Sequence, residues 1–240
     1  MQWEKRTILV VDSSASFIFY VAMMLRKLQY IVQTASTAED ALKMIAGSAP
    51  AVIIVDTVLP KTSGVDLLKQ IKQNSSISFI PVMIHTADRD PAVKDACARA
   101  GCACYFLKPV EPDALYRAIQ AATEATPRKN IRISVALKAR VVSKAGDRME
   151  EVTSLSEAGL YVKTSAPEPV QAVVSLKLLI RTREIKVTGR VLYSSATAGG
   201  PHAVPGMGVS FETIDPEDRT FIREFIREQV TNALATKPRQ

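Results

Sequence analysis

Aromatic side chains are scarce in this sequence, at 6% of 240 residues with a single tryptophan. Few flat rings are available for bases to stack on, and no helix-turn-helix pattern is present, so DNA is not an expected partner. Histidine is scarcer still, limited to His85 and His202, and the three cysteines (Cys97, Cys102 and Cys104) are odd in number and clustered. No further ligand at a recognisable spacing completes a zinc site, and small buried thiols are the simpler reading. No apolar run reaches the length of a membrane span, and the opening residues MQWEKRTILVV lack the pattern of a secretory signal. A cytoplasmic protein without a membrane span is therefore expected.

What is present is ordinary in bulk and uneven in placement. The chain is 47% hydrophobic and 23% charged, long for one compact core and comfortable for two. Residues 1–126 hold 13 Lys+Arg against 12 Asp+Glu, whereas residues 127–240 hold 18 against 12, so nearly all of the +7 net charge lies in the second half. A basic half suits an anionic partner such as a nucleotide, a nucleic acid or an acidic protein.

The hydrophobic period also changes. Short apolar runs at 7–11, 30–35, 51–55, 80–84 and 103–107 read as strands covered on both faces, hence parallel. Helical patterns fill 15–28, 37–46, 63–73, 90–100 and 111–125, giving a doubly wound α/β domain. Ligands of such sheets bind at the carboxyl ends of the strands, where Asp12, Asp56, Thr86 and Lys108 all fall. After residue 126 the period becomes two. Segments 131–143, 159–164, 172–180, 184–195 and 206–214 read as strands of a small antiparallel barrel. DPED at 215–218 then caps a helix with Phe221, Ile222, Phe225, Ile226, Val230 and Leu234 along one stripe.

Residues 5–125 resemble the receiver domain of bacterial two-component response regulators. The matching motifs are DTVLPKTSG at 56–64, Thr86–Ala87 after the fourth strand, and Tyr105 with Lys108–Pro109 at the fifth. The resemblance implies that Asp56 accepts a phosphoryl group from a histidine kinase, that Lys108 neutralises it, and that Thr86 hydrogen-bonds it. It also implies that Tyr105 swings inward in the phosphorylated state and that the Lys108–Pro109 bond is cis. Mg²⁺ would sit on Asp12 and Asp56. The family usually has two acids where this chain reads VVDSS, so Ser13 replaces a carboxylate and weak Mg²⁺ binding is expected. Aspartate-nucleophile phosphatases and dehalogenases normally carry a second acid two residues after the nucleophile; here that residue is Val58, so a turnover enzyme is not expected.

Residues 127–235 resemble the PilZ domain, a bacterial receptor for cyclic di-GMP. The motifs are RKNIR at 128–132, SLSEAG at 154–159 and GMGVSF at 206–211. The resemblance implies that Arg128 and Arg132 grip phosphate and guanine edges, with Ser154, Ser156 and Gly159 completing the cyclic di-GMP site. Planar guanidinium forks suit that task. Ser154 stands where the family has an acid or amide, which lowers the expected affinity.

The domains expected are thus residues 1–126, a receiver, and 127–240, a PilZ barrel. Output would pass to a downstream protein by contact, and a homodimer is left open. The alternative is an adaptor that works without phosphorylation or without cyclic di-GMP.

Overall fold

The structure, a computed structural model, describes residues 6–143, 146–195 and 205–231. His202 and Leu234 lie outside the described residues. Two compact units share the chain, with the division between Lys129 and Asn130.

In the first unit β1 (Thr7–Val11), β2 (Ile31–Ala35), β3 (Val52–Val55), β4 (Val82–Thr86) and β5 (Cys104–Leu107) form a parallel sheet in the order β2-β1-β3-β4-β5. Strands β3 and β4 are buried along their whole length, which explains their unbroken apolar runs. Strand β2 is a sheet edge and partly exposed, and its sequence is correspondingly mixed. The run expected at 80–84 is displaced. Pro81 has no N–H for the ladder, and the strand instead continues through the buried polar residues His85 and Thr86.

Helices α1 (Ala15–Lys27), α2 (Ala38–Gly47), α3 (Gly64–Gln73), α4 (Pro91–Arg99) and α5 (Pro112–Thr123) make the crossovers. Ser14, Thr37, Ser63 and Asp90 cap the first four by accepting from a backbone N–H in the first turn. Leu67, Leu68 and Ile71 of α3 pack on Leu9, Val11, Ile53 and Val55 of the sheet, all at 0% exposure. That rigid core fixes the strand ends from which the polar residues project.

The second unit is a closed antiparallel barrel in the order β10-β11-β8-β7-β6-β9. Its strands are β6 (Arg132–Ser143), β7 (Gly146–Ser156), β8 (Gly159–Lys163), β9 (Val173–Ile180), β10 (Arg183–Ser195) and β11 (Gly206–Ile214). Six strands stand where the sequence pattern gave five. Strand β7, GDRMEEVTSLS, was missed because its first half is a charged, largely exposed arm of a long hairpin with β6; only Val152, Leu155 and Ser156 are buried. Without a buried face, a strand carries no alternating signature. Helix α6 (Pro216–Thr231) packs on β6 and β7 and buries Ile222, Phe225, Ile226 and Val230. Among the described residues no helix is long and apolar enough to cross a membrane.

Gly159 opens β8 under a steric constraint. A Cβ added there would lie 2.4 Å from the Val209 carbonyl oxygen of β11, so the neighbouring strand fills the space that any side chain needs. Gly159→Ala is expected to destabilise the barrel by on the order of 1–3 kcal/mol, measured as a lowered urea midpoint. An unchanged midpoint would show that β8 and β11 can part without cost.

Candidate functional sites

Register brings the first cluster together. Val11 pairs with Val55, and Val55 pairs with Ile84. The next residue of each strand, Asp12, Asp56 and His85, therefore meets its neighbours at the carboxyl edge of the sheet. Lys108, just past β5, reaches over this edge. Its Nζ lies 2.6 Å from Asp12 Oδ2 and 2.5 Å from Asp56 Oδ2, with the lysine side chain only 15% exposed. The other oxygens are held as well: Asp12 Oδ1 accepts from Ser14 N–H at 2.7 Å and Asp56 Oδ1 from Val58 N–H at 3.3 Å. Two carboxylates share one ammonium in a nearly buried setting, where charge-assisted bonds are strong.

Thr86 is fully buried, and its hydroxyl lies 2.5 Å from that of Thr57. It also accepts from Asp88 N–H at 3.2 Å. The hydroxyl of Tyr105 donates to the Asp88 carbonyl at 3.0 Å, linking the strand that carries the lysine to the loop after β4. The Lys108–Pro109 bond is cis, as the resemblance implied. Ser13 is exposed, and its hydroxyl donates to the Val58 carbonyl at 3.3 Å. Gly64 abuts the acceptor strand so closely that a Cβ there would lie 1.9 Å from the Asp56 carbonyl oxygen. The glycine of the DTVLPKTSG stretch thus lets the start of α3 lie against the backbone of Asp56, and its N–H donates to the Thr57 carbonyl at 2.9 Å.

Three residues of this edge had no role in the sequence reading. Thr57 shares the Thr86 hydroxyl. Phe17 of α1 lies under the ammonium of Lys108, 3.9 Å from ring centroid to Nζ. His85 packs against Phe17 with centroids 4.7 Å apart and is 1% exposed, with no hydrogen-bond partner on either ring nitrogen. Burial, and then the charge of Lys108, push the His85 pKa down from 6.5 to about 4, against a smaller upward pull from Asp56. His85 is therefore neutral at ordinary pH. Its place at the end of an apolar run was the available signal.

Mg²⁺ favours oxygen ligands, typically one or two carboxylates with waters completing an octahedron. Asp12 and Asp56 supply two such groups at an edge of the sheet and fit that minimum. A third acid is missing at Ser13, and among the described residues no group of three or more His, Cys, Asp or Glu side chains is arranged to hold a metal ion.

The second cluster lies where three barrel strands meet. Arg132 opens β6 opposite Ser156, and Ser134 stands opposite Ser154 on β7. Ser156 pairs in turn with Gly159, and its hydroxyl donates to the Gly159 carbonyl at 3.0 Å, closing the β7–β8 turn. Arg132, Ser154, Ser156 and Gly159 are thus brought together. Arg128 is tied elsewhere: its backbone N–H donates to Gln120 Oε1 of α5 at 3.2 Å, on the α/β side of the division. Gln120 is buried and also donates to the Tyr30 hydroxyl at 3.0 Å, so this anchor is itself fixed.

A parallel five-stranded sheet with an aspartate, a lysine and a threonine at its carboxyl edge, followed by a six-stranded barrel, defines the class as a signalling protein with two modules. The response regulator receiver domain family matches residues 8–120, and the PilZ domain family matches residues 126–228. Two-component response regulator ORR11 of Oryza sativa subsp. indica is 32% identical over 112 residues, which cover 46% of this chain and 76% of the relative. ORR7 of Oryza sativa subsp. japonica is 35% identical over 107 residues, covering 44% of this chain and 50% of that protein. The chain thus spans about half the length of ORR7. Among solved structures, chemotaxis response regulator CheY4 of Vibrio cholerae superposes with a TM-score of 0.46 at 27% identity, covering 50% of this chain and 99% of that one. The chain belongs to the response regulators, with an N-terminal receiver domain and a C-terminal PilZ domain. Both are signalling domains rather than catalytic ones.

Proposed function

We propose that the protein accepts a phosphoryl group on Asp56 from a histidine kinase, binds cyclic di-GMP through its barrel, and signals by contact with a downstream protein. The observation that carries the first part is the clamp of Lys108 on Asp56 and Asp12 at 2.5 and 2.6 Å. In the transfer an Asp56 carboxylate oxygen bonds to phosphorus as the bond to the kinase histidine nitrogen breaks, leaving a mixed anhydride. Lys108 is placed to stay with the growing negative charge, and Thr86 stands at the neighbouring strand end to donate its hydroxyl. Asp12 and Asp56 would hold Mg²⁺, which supplies further neutralisation when bound. Incubation with radiolabelled acetyl phosphate tests this reading: wild type takes up label and Asp56→Asn does not. Equal labelling of the two would move the acceptor elsewhere.

Ser13 favours a second reading, an adaptor whose receiver no longer turns over phosphate. The two readings separate at one position. Ser13→Asp is expected to tighten Mg²⁺ roughly tenfold, the size of one added charge pair at a protein edge, and to speed labelling. If neither wild type nor Ser13→Asp labels at Asp56, the adaptor is the better account.

The two modules are further proposed to be coupled. Arg128, the first arginine of RKNIR, is hydrogen-bonded through its backbone to Gln120 of α5, so a shift of that helix acts on the ligand segment. Any effect of phosphorylation on cyclic di-GMP affinity must be matched by an equal effect in reverse.

A further inference from the structure

Lys108 has work to do only if its ammonium points at the gap between Asp12 and Asp56, and a lysine has four rotatable side-chain bonds with which to miss it. The carboxylates attract it from one side. On another side lies the face of Phe17, 3.9 Å from Nζ at the ring centroid. Phe17 stands in the first turn of α1, where its N–H is held by the Ser14 cap. The ring is in turn propped by His85, at 4.7 Å between centroids and tilted by 60°.

His85 is an odd choice for a mere filler. It sits on a strand that is otherwise apolar up to that point, 1% exposed and without a partner for either ring nitrogen. An unmade hydrogen bond in a buried place carries a penalty that a leucine or valine would avoid. What the ring offers in return is a flat, stiff support beside Asp56, since Val55 pairs with Ile84 and places His85 next in line.

We propose that Phe17 and His85 are positioning residues for Lys108: the Phe17 ring holds the ammonium over the two carboxylates through a cation–π contact, and His85 fixes the plane of that ring. Neither residue touches the reacting oxygen. They act by narrowing the lysine to one orientation before a phosphoryl group arrives, so that little reordering is needed once it does. Removing the aromatic face while keeping an apolar side chain leaves the helix packed and the lysine loosely held. The functional consequence rests on the reading of Asp56 as acceptor, whereas the positioning itself does not.

The test uses the full chain and two readouts. In ¹H–¹⁵N spectra a lysine ammonium is visible only when it is held and shielded from exchange. Wild type and Phe17→Tyr are expected to show the Lys108 signal, and Phe17→Leu to lose it while its circular dichroism stays unchanged. His85→Leu is expected to broaden it. The second readout is affinity for beryllofluoride, an acylphosphate mimic, which should fall about 3- to 30-fold in Phe17→Leu and recover in Phe17→Tyr. A Lys108 signal of equal strength in Phe17→Leu, its absence from wild type, or its loss in Phe17→Tyr as well would each overturn the proposal. If wild type shows the signal but binds no beryllofluoride, positioning stands and phosphoryl acceptance at Asp56 fails.

Discussion

Arg132→Ala is expected to weaken cyclic di-GMP binding roughly 10- to 100-fold, the loss of one charge-assisted contact of about 1.5–3 kcal/mol. Arg132 is the first residue of β6, opposite Ser156 and two residues along from the Ser134–Ser154 pair. Its backbone is fixed by the barrel, so its guanidinium starts from a defined place. Arg128 hangs from α5 instead. Arg128→Ala should remove a similar contact, and because its backbone N–H still reaches Gln120, both variants should keep the fractional effect of phosphorylation on affinity. Calorimetry on both variants checks this, with unaltered affinity in Arg132→Ala as the adverse result. With Ser154 in place of an acid or amide, the wild-type affinity is expected in the micromolar range or weaker.

Acid should destabilise the α/β unit through His85. A histidine whose pKa falls from 6.5 unfolded to about 4 folded binds more protons when unfolded across that interval. Its contribution is complete above pH 6.5 and is lost as pH falls toward 4, amounting to about 3 kcal/mol. His85→Leu removes this loss. Chemical denaturation at pH 7 and pH 4 is expected to show a fall in stability larger by that amount in wild type than in the variant. Identical falls would mean that the buried ring is protonated without penalty.

Much of the α/β unit could be read from sequence because its central strands are buried on both faces and stand out as unbroken runs, as TILVV and AVIIV do. The carboxyl-edge rule then located Asp12, Asp56, Thr86 and Lys108 without coordinates, since each follows or ends a strand. Phe17 was out of reach because it is one apolar residue of a helix, and although His85 ends an apolar run, only the register and the helix approach show that Phe17 lies beneath the lysine with His85 against it. In the barrel, β9 and most of β10 alternate visibly because one face is buried. Strand β7 does not, since its outer half is a charged hairpin arm. The motif SLSEAG was recognisable, yet its hydroxyl bond from Ser156 to Gly159 and the contact of Gly159 with β11 could not be seen without the fold. Glycine there serves the barrel before it serves a ligand.

The most direct test of the proposal that the protein reads both phosphorylation and cyclic di-GMP is calorimetric titration of cyclic di-GMP into the full chain, with and without beryllofluoride and Mg²⁺. The account predicts binding in the micromolar range or weaker, with an affinity that changes by roughly fivefold or more when the mimic is present, a typical coupling between sites. No heat at millimolar ligand, or the same affinity in both states, would contradict it.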